Sequence, residues 1–339
     1  MTEHAALMNT PTPQERILGI VNNHWESCAV GAAAQLELAD LLSNGPMDID
    51  LLAKRTKTHA PSLFRMLRAL ESTGIFRQVS PRVFANTPMS ECLRRNAQGS
   101  QWAWIRIALC SDAPILDGWR GLLQALQNGQ PGFDQLRGQN AWEYLQGDAQ
   151  MATIFNQAMR DLSASITPAV TASYDWSQFG TIGDIAGGIG TQLLSILESH
   201  PSCRGILFDQ PQVITEAPPH SRMEHIGGDL FGDIPVSADA YLLRWVLHDW
   251  SDEKAVAILE NVRKAAKPDS RVLLVESVIP DTPEFDMGKW MDMNMLVMAG
   301  GRERTAAEFG ELYDQAGFNL EEIKPTPSSL SIIVGRPRA

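Results

Sequence analysis

No apolar run reaches the roughly 18 residues that a membrane-spanning helix needs, so the sequence points away from an integral membrane protein. The opening stretch MTEHAALMNTPTPQER has no basic start followed by an apolar core, which argues against a secretory signal peptide. Cysteine is scarce. Cys28, Cys92, Cys110 and Cys203 lie far apart without a C-x-x-C pair. That pattern supports neither a disulfide framework nor a structural zinc site, and a reducing cytoplasm is the expected location. Positive charge is also short: 28 Lys and Arg stand against 40 Asp and Glu, a formal net charge of −12. Such a chain is poorly suited to binding a nucleic-acid backbone. There is no H-x-x-H pair and no clustered carboxylate motif, so no metal is expected; Asp249, Asp252 and Glu253 lie close in sequence but fit the start of a helix. Internal repeats and low-complexity blocks are missing too. What is present is 339 residues, 44% hydrophobic and 20% charged, an ordinary globular composition. That length suits about two domains.

Residues 1–12 read as a flexible tail. From Gln14 to Leu42 apolar residues fall at helical spacing, among them Ile17, Ile20, Val21, Val30, Leu36, Leu38, Leu41 and Leu42. Gly45-Pro46 breaks the pattern. Asp48 is placed to cap a short helix through Leu51 and Leu52, and Pro61 suits the first turn of another with Leu63, Phe64, Leu67 and Leu70 on one face. Ile75–Val79, a Ser80-Pro81 turn and Val83–Ala85 read as a hairpin. Helix, helix, helix, hairpin is the winged-helix order. DNA contact would want a basic face, yet residues 1–90 carry eight Lys/Arg and eight Asp/Glu. A protein–protein role for residues 13–90 is therefore favoured, with the apolar first helix pointing to dimerisation. Ordinary core packing within one chain is the alternative. Residues 91–175 read as a helical connector that contributes to a pocket.

From residue 176 strands and helices alternate. Thr181–Ala186, Arg204–Asp209, Met223–Ile226, Ala238–Val246 and Ser270–Ile279 read as strands, with closing strands near Leu320–Lys324 and Leu330–Val334. Ser251 is placed to cap a helix that Pro268 stops, and Thr305-Ala306-Ala307-Glu308 is a capping-box pattern. This alternation predicts an α/β, doubly wound, mostly parallel sheet. Ligands bind such sheets at the carboxyl ends of the strands. There Gly187, Gly188 and Gly190 form a turn, but Leu193 stands where the third glycine of a dinucleotide fingerprint belongs. Alone the turn is a weak signal, compatible with a tight connection that binds nothing. Asp209 closes the second strand, 19 residues beyond Gly190, where a carboxylate can take both hydroxyls of a ribose. Together these features point to a nucleoside-containing ligand. The missing glycine leans toward one without a pyrophosphate.

The order DIAGGIG (184–190), FDQPQV (208–213), GGDLF (227–231), LHDWSDE (247–253) and GGRERT (300–305) resembles the small-molecule O-methyltransferases. These are the plant caffeate and flavonoid type and their bacterial relatives acting on polyketides and phenazines. The resemblance spans nearly the whole chain. It implies a Rossmann-like methyltransferase domain over 176–339, a winged-helix dimerisation domain, a homodimer, and S-adenosyl-L-methionine as cofactor with S-adenosyl-L-homocysteine as product. It implies that Asp184, Gly187, Gly188, Gly190, Asp209, Asp229, Leu230, Phe231 and Arg244 border the cofactor. His248 matches the general base, and Glu276 and Glu303 match the acids flanking it. Ala186 departs from the pattern, standing where the first of three glycines is usual; since alanine adds only a methyl, retained binding is expected.

The chemistry supports a base independently. A phenol, with a pKa of about 10, is mostly protonated at neutral pH, and a histidine near about 6.5 can take that proton during transfer. Glu276, inside the apolar run VLLVESVI, is costly to bury without a partner, and His248 is the expected one. Five of the 13 methionines fall within residues 287–298. Met291, Met295 and Met298 share a helix face that serves either core packing or an adaptable wall for a flat substrate. Trp290 and Asn294, one turn apart, are expected to offer stacking and a hydrogen bond. The expected activity is methylation of a hydroxyl on a small aromatic secondary metabolite. Rival readings are altered chemistry on the same scaffold (hydroxylation, decarboxylation or N-methylation) and a winged-helix regulator that senses a nucleoside.

Overall fold

The computed structural model describes residues 11–338, which form two compact units. One comprises the chain up to Leu116 together with Thr153–Ala158; the other comprises Asp117–Ala152 and Met159–Ala339. The division at residue 116 falls inside the stretch read as a connector. Residues 1–10 of the expected tail lie outside the described residues. Thr12 is not tail: its hydroxyl caps the helix Pro13–Gln35, and Glu15 returns the bond in a capping box.

In the first unit the expected run from Gln14 to Leu42 is interrupted. The helix ends at Gln35, Glu37 turns left-handed at φ 51°, and a short helix Leu38–Leu41 follows. Then come strand β1 (Met47–Asp48), a helix Ile49–Thr56 capped by Asp48, a helix Ala60–Ser72, and the hairpin β2 (Phe76–Ser80) and β3 (Val83–Asn86). The small sheet is ordered β1-β3-β2. Leu38, Ile49, Leu52, Leu67, Phe76 and Phe84 fill the core, and Trp102 Nε1 donates to the Ala34 carbonyl at 3.1 Å. The first helix leaves Ile17, Leu18, Ile20, Val21 and Trp25 between 59% and 68% exposed. Among the described residues none covers this apolar face.

The second unit is built on a seven-stranded sheet. Its strands are β4 (Thr181–Ile185), β5 (Arg204–Asp209), β6 (Met223–Gly227), β7 (Ala240–Arg244), β8 (Arg271–Glu276), β11 (Phe318–Pro325) and β12 (Ser331–Pro337). The short strands β9 (Val278–Ile279) and β10 (Arg304–Thr305) pair in parallel beside it. The order is β11-β12-β8-β7-β4-β5-β6, with β12 running antiparallel to the other six. Alternate residues of each strand feed two apolar clusters. One gathers Tyr241, Leu243, Ile258, Leu259 and Phe309; the other gathers Trp176, Ile182, Leu193, Leu242 and Ile332. Truncating such a fully buried leucine to alanine costs about 2–5 kcal/mol. Ser251 occupies the N-cap of the helix Asp252–Ala265, but its side chain makes no capping bond. No helix among the described residues is long and apolar enough to cross a membrane.

Between the parallel neighbours β4 and β7 the order in which strands are added to the sheet reverses. From β4 the sheet grows one way through β5 and β6, and the other way through β7 and β8. The carboxyl ends of these strands flank the crevice where doubly wound folds bind ligands.

Candidate active site

The turn leaving β4 is shaped by close approach and by backbone sign. A Cβ on Gly187 would lie 2.5 Å from the Asp184 carboxyl carbon and 2.7 Å from a Leu207 methyl, so only glycine fits. Gly188 and Gly190 have positive φ, and a side chain on Gly188 would meet nothing within 4 Å: the turn backs onto open space. Ala186 also has positive φ, 53°. The expectation that alanine adds only a methyl is thus incomplete. It also holds an L-residue in the left-handed region, which costs roughly 1–2 kcal/mol.

Asp209 ends β5 beside this turn. Its Oδ2 accepts from the Gly188 amide and its Oδ1 from the Gln210 amide, each at 2.7 Å. Burial raises its pKa, and these amides hold it back. Lone pairs remain for a diol. Asp184 is fully buried, with Oδ2 unpartnered. Burial lifts it to about 7 against the pull of the Arg244 guanidinium. Asp229 is exposed and accepts from the Phe231 amide; Phe231 stacks edge-on against Trp250 at 4.9 Å, and Leu230 packs on the core. A glycine turn with open space before it, a carboxylate with free acceptors and an aromatic lip suit a nucleoside-bearing cofactor.

Arg244 closes β7. It donates to Thr167 Oγ1 at 2.7 Å, to Gln192 Oε1 at 3.1 Å and to Ser163 Oγ. Burial lowers its pKa, while the carboxylates of Asp184 and Glu276 support its charge. None of these hydroxyl and amide partners was legible beforehand. Next in the chain Trp245 adopts φ 53°, a rare geometry for a bulky residue. It swings the chain out of the strand into the single turn Leu247–Asp249 that carries His248.

His248 is ringed by acids. Its Nδ1 lies 2.8 Å from Glu303 Oε1 and its Nε2 lies 3.7 Å from Asp249 Oδ1. Glu276 does not bond the ring directly, contrary to expectation. Its Oε1 accepts from the Val246 and Leu247 amides at 2.9 and 3.0 Å. The second oxygens of Glu276 and Glu303 are buried without partners. Burial alone would push His248 down, but Asp249, Glu303 and Glu276 outweigh it and raise the ring to about 10. Glu276 moves upward to about 7, chiefly through burial, with His248 opposing. Burial raises Asp249 too. Atoms of His248, Glu276 and Glu303 all lie within 4.8 Å of one another, close enough to grip an ion. That clustering joins residues far apart in the chain, so the absence of H-x-x-H did not foretell it.

The helix Met287–Met298 divides its residues unevenly. Met295 is buried, Met291, Asn294 and Met298 are half-buried, and Trp290 is 54% exposed. Asn294 Oδ1 accepts from Trp119 Nε1 at 3.1 Å, and Met298 packs against Gly118. Asp292 Oδ1 accepts from the Glu303 amide at 3.0 Å and so anchors that acid's backbone. Asp292 and Trp119 were not singled out by motif, and Asp249, though inside LHDWSDE, was read only as an acid at the start of a helix. The signal for Asp249 was its place beside His248.

Comparison with known proteins agrees with this geometry. The O-methyltransferase domain family matches residues 119–319, and the O-methyltransferase dimerisation domain family matches residues 18–96. The chain is 37% identical over 328 residues to a phenazine O-methyltransferase of Lysobacter antibioticus, covering 95% of each. The crystal structure of LaPhzM superimposes with a TM-score of 0.90 at 36% identity, over 96% of this chain and 99% of that one. The neocarzinostatin-biosynthesis O-methyltransferase NcsB1, solved with S-adenosylmethionine and 2-hydroxy-5-methyl naphthoic acid, matches with a TM-score of 0.80. Its identity is 30%, over 92% of this chain and 96% of that one. The chain therefore belongs to the S-adenosylmethionine-dependent O-methyltransferase family of secondary metabolism.

Proposed function

We propose that the protein methylates a hydroxyl on a small aromatic metabolite, with His248 as the general base. The observation that carries this reading is the ring held by Glu303 through Nδ1, with Nε2 on its other side. When bound, the cofactor supplies an electrophilic methyl group for in-line displacement. Asp209 would accept from the ribose hydroxyls, Gly187, Gly188 and Gly190 would let backbone approach the methionine end, and Asp229, Leu230 and Phe231 would border the adenine. Asp184, in β4, and Arg244, at the end of β7, would border the cofactor as well. The substrate proton passes to His248 Nε2, and Glu303 and Glu276 stabilise the imidazolium that results.

Trp290, Met291, Asn294, Met295 and Met298 form the proposed substrate side. Asn294 keeps an amide N–H for a substrate acceptor, since among the described residues its partner there is the weak acceptor Met291 Sδ at 3.9 Å. The phenazine in one relative's name and the naphthoic acid bound to another are flat aromatics and favour the same class. We place the reaction in the cytoplasm, where the four free thiols would persist. The exposed face of the first helix and the matching dimerisation family support a homodimer.

The test is incubation with labelled cofactor and a panel of phenols, hydroxyphenazines and hydroxylated polyketides. An O-methyl product on an aromatic hydroxyl is expected. A product methylated on nitrogen, or a hydroxylated or decarboxylated product with the label left on the cofactor, would overturn the reading.

A further inference from the structure

The base sits on a turn of three residues, and such a turn has little stiffness of its own. It is hydrogen-bonded to the segment Gly301–Arg304. Arg304 is 1% exposed, yet it is charged and lies outside the proposed reacting groups. Its Nη1 donates to the Leu247 carbonyl at 3.0 Å and its Nη2 to the Trp250 carbonyl at 3.0 Å, one bond on each side of His248. Nε and Nη2 together grip Asp252 Oδ1 at 2.9 and 2.8 Å. The carbonyl of His248 itself accepts from the Arg302 amide at 2.9 Å. Gly301 permits that contact: a Cβ there would lie 2.0 Å from the His248 carbonyl oxygen. Carbonyls at 247, 248 and 250 are thus all taken by the same four-residue segment that contains Glu303.

We infer that Arg304 is a positioning residue that clamps the His248 turn onto Glu303. Five donors in a planar fork fit this task, because a guanidinium can bridge two carbonyls and a carboxylate at once. Lysine cannot. The buried charge is balanced by Asp252 and by carbonyl dipoles, so the arginine is held without entering the acid cluster formed by Asp249, Glu276 and Glu303. The inference rests on the reading of His248 as base. It adds that the pairing of ring and acid depends on a residue whose side chain bonds neither.

The test uses the full chain carrying Arg304→Met, with Asp252→Ala as a second variant at a half-exposed site should the first not fold. Labelled histidine rings are titrated by NMR, the His248 signal being the one lost in His248→Ala. Arg304→Met should shift the His248 titration to lower pH as the ring slips from Glu303. It should also lower kcat about 10²-fold, the order expected for a misplaced catalytic group, with S-adenosylhomocysteine affinity unchanged. Asp252→Ala should move both in the same direction by less, and Arg304→Lys should not restore the wild-type titration. A folded Arg304→Met or Asp252→Ala with wild-type titration and kcat overturns the clamp. So does a loss of kcat matched by loss of cofactor affinity while the ring titrates normally. If instead His248→Ala turns over at the wild-type rate, the base reading fails, and the ring titration still decides the clamp.

Discussion

At the scale of single residues the account turns on charge held in a buried place. His248 must be neutral to accept a proton, so the rate should rise with pH. The surrounding carboxylates favour the charged ring and carry its pKa upward to about 10, so the rise lies above the ordinary histidine range. Glu303→Gln removes the acid bonded to Nδ1. A pH–rate profile of that variant should show the rise at lower pH and a smaller maximal rate; an unmoved rise contradicts the pairing. Asp209→Ala should weaken S-adenosylhomocysteine binding by about 1.5–3 kcal/mol, the cost of losing bonds to a charged group. Calorimetry showing equal affinity would remove Asp209 from the site. Ala186 offers a test in the opposite direction. A left-handed alanine costs more than the unfolded-state entropy that a glycine adds, so Ala186→Gly should stabilise the fold by about 0.5–1 kcal/mol. Urea denaturation with S-adenosylhomocysteine absent measures this, and a lowered midpoint would refute the strain argument.

At the scale of elements, much was legible from local rules. Strand and helix alternation, the glycine turn, the acid closing β5 and the Thr305 capping box are all short-range signals, and the structure contains each of them. What escaped was geometry created by long-range approach. The helix break at Glu37 needs a left-handed residue with no glycine or proline to announce it. The amide partners of Glu276 come from a turn some thirty residues earlier in the chain, so its solitary place in an apolar run suggested His248 instead. Asn294 was noted for its spacing from Trp290, yet its bond reaches Trp119, 175 positions away. The methionine stripe divides for the same reason: Met295 meets the core while Met291 and Met298 stay half-buried, and periodicity alone cannot tell these apart. The family motifs named His248, Glu276 and Glu303 as a set because they summarise three-dimensional proximity that spacing does not reveal.

At the scale of the whole molecule, the apolar face of the first helix argues for association. Side chains of Ile17, Leu18, Ile20, Val21 and Trp25 left in water would be an unusual liability for a monomer. Light scattering should give twice the chain mass, and Val21→Asp should lower it toward the monomer. A monodisperse, active wild-type monomer would remove dimerisation from the account. The central claim remains chemical, and one measurement tests it most directly: the single-turnover rate of His248→Ala on a weakly acidic phenol that the wild type methylates. The account predicts a fall of about 10²–10⁴-fold with cofactor affinity intact, and a smaller fall for a substrate already ionised as a phenolate. A variant that methylates the weakly acidic phenol at the wild-type rate would contradict it, leaving alignment of the reactants alone to explain the catalysis.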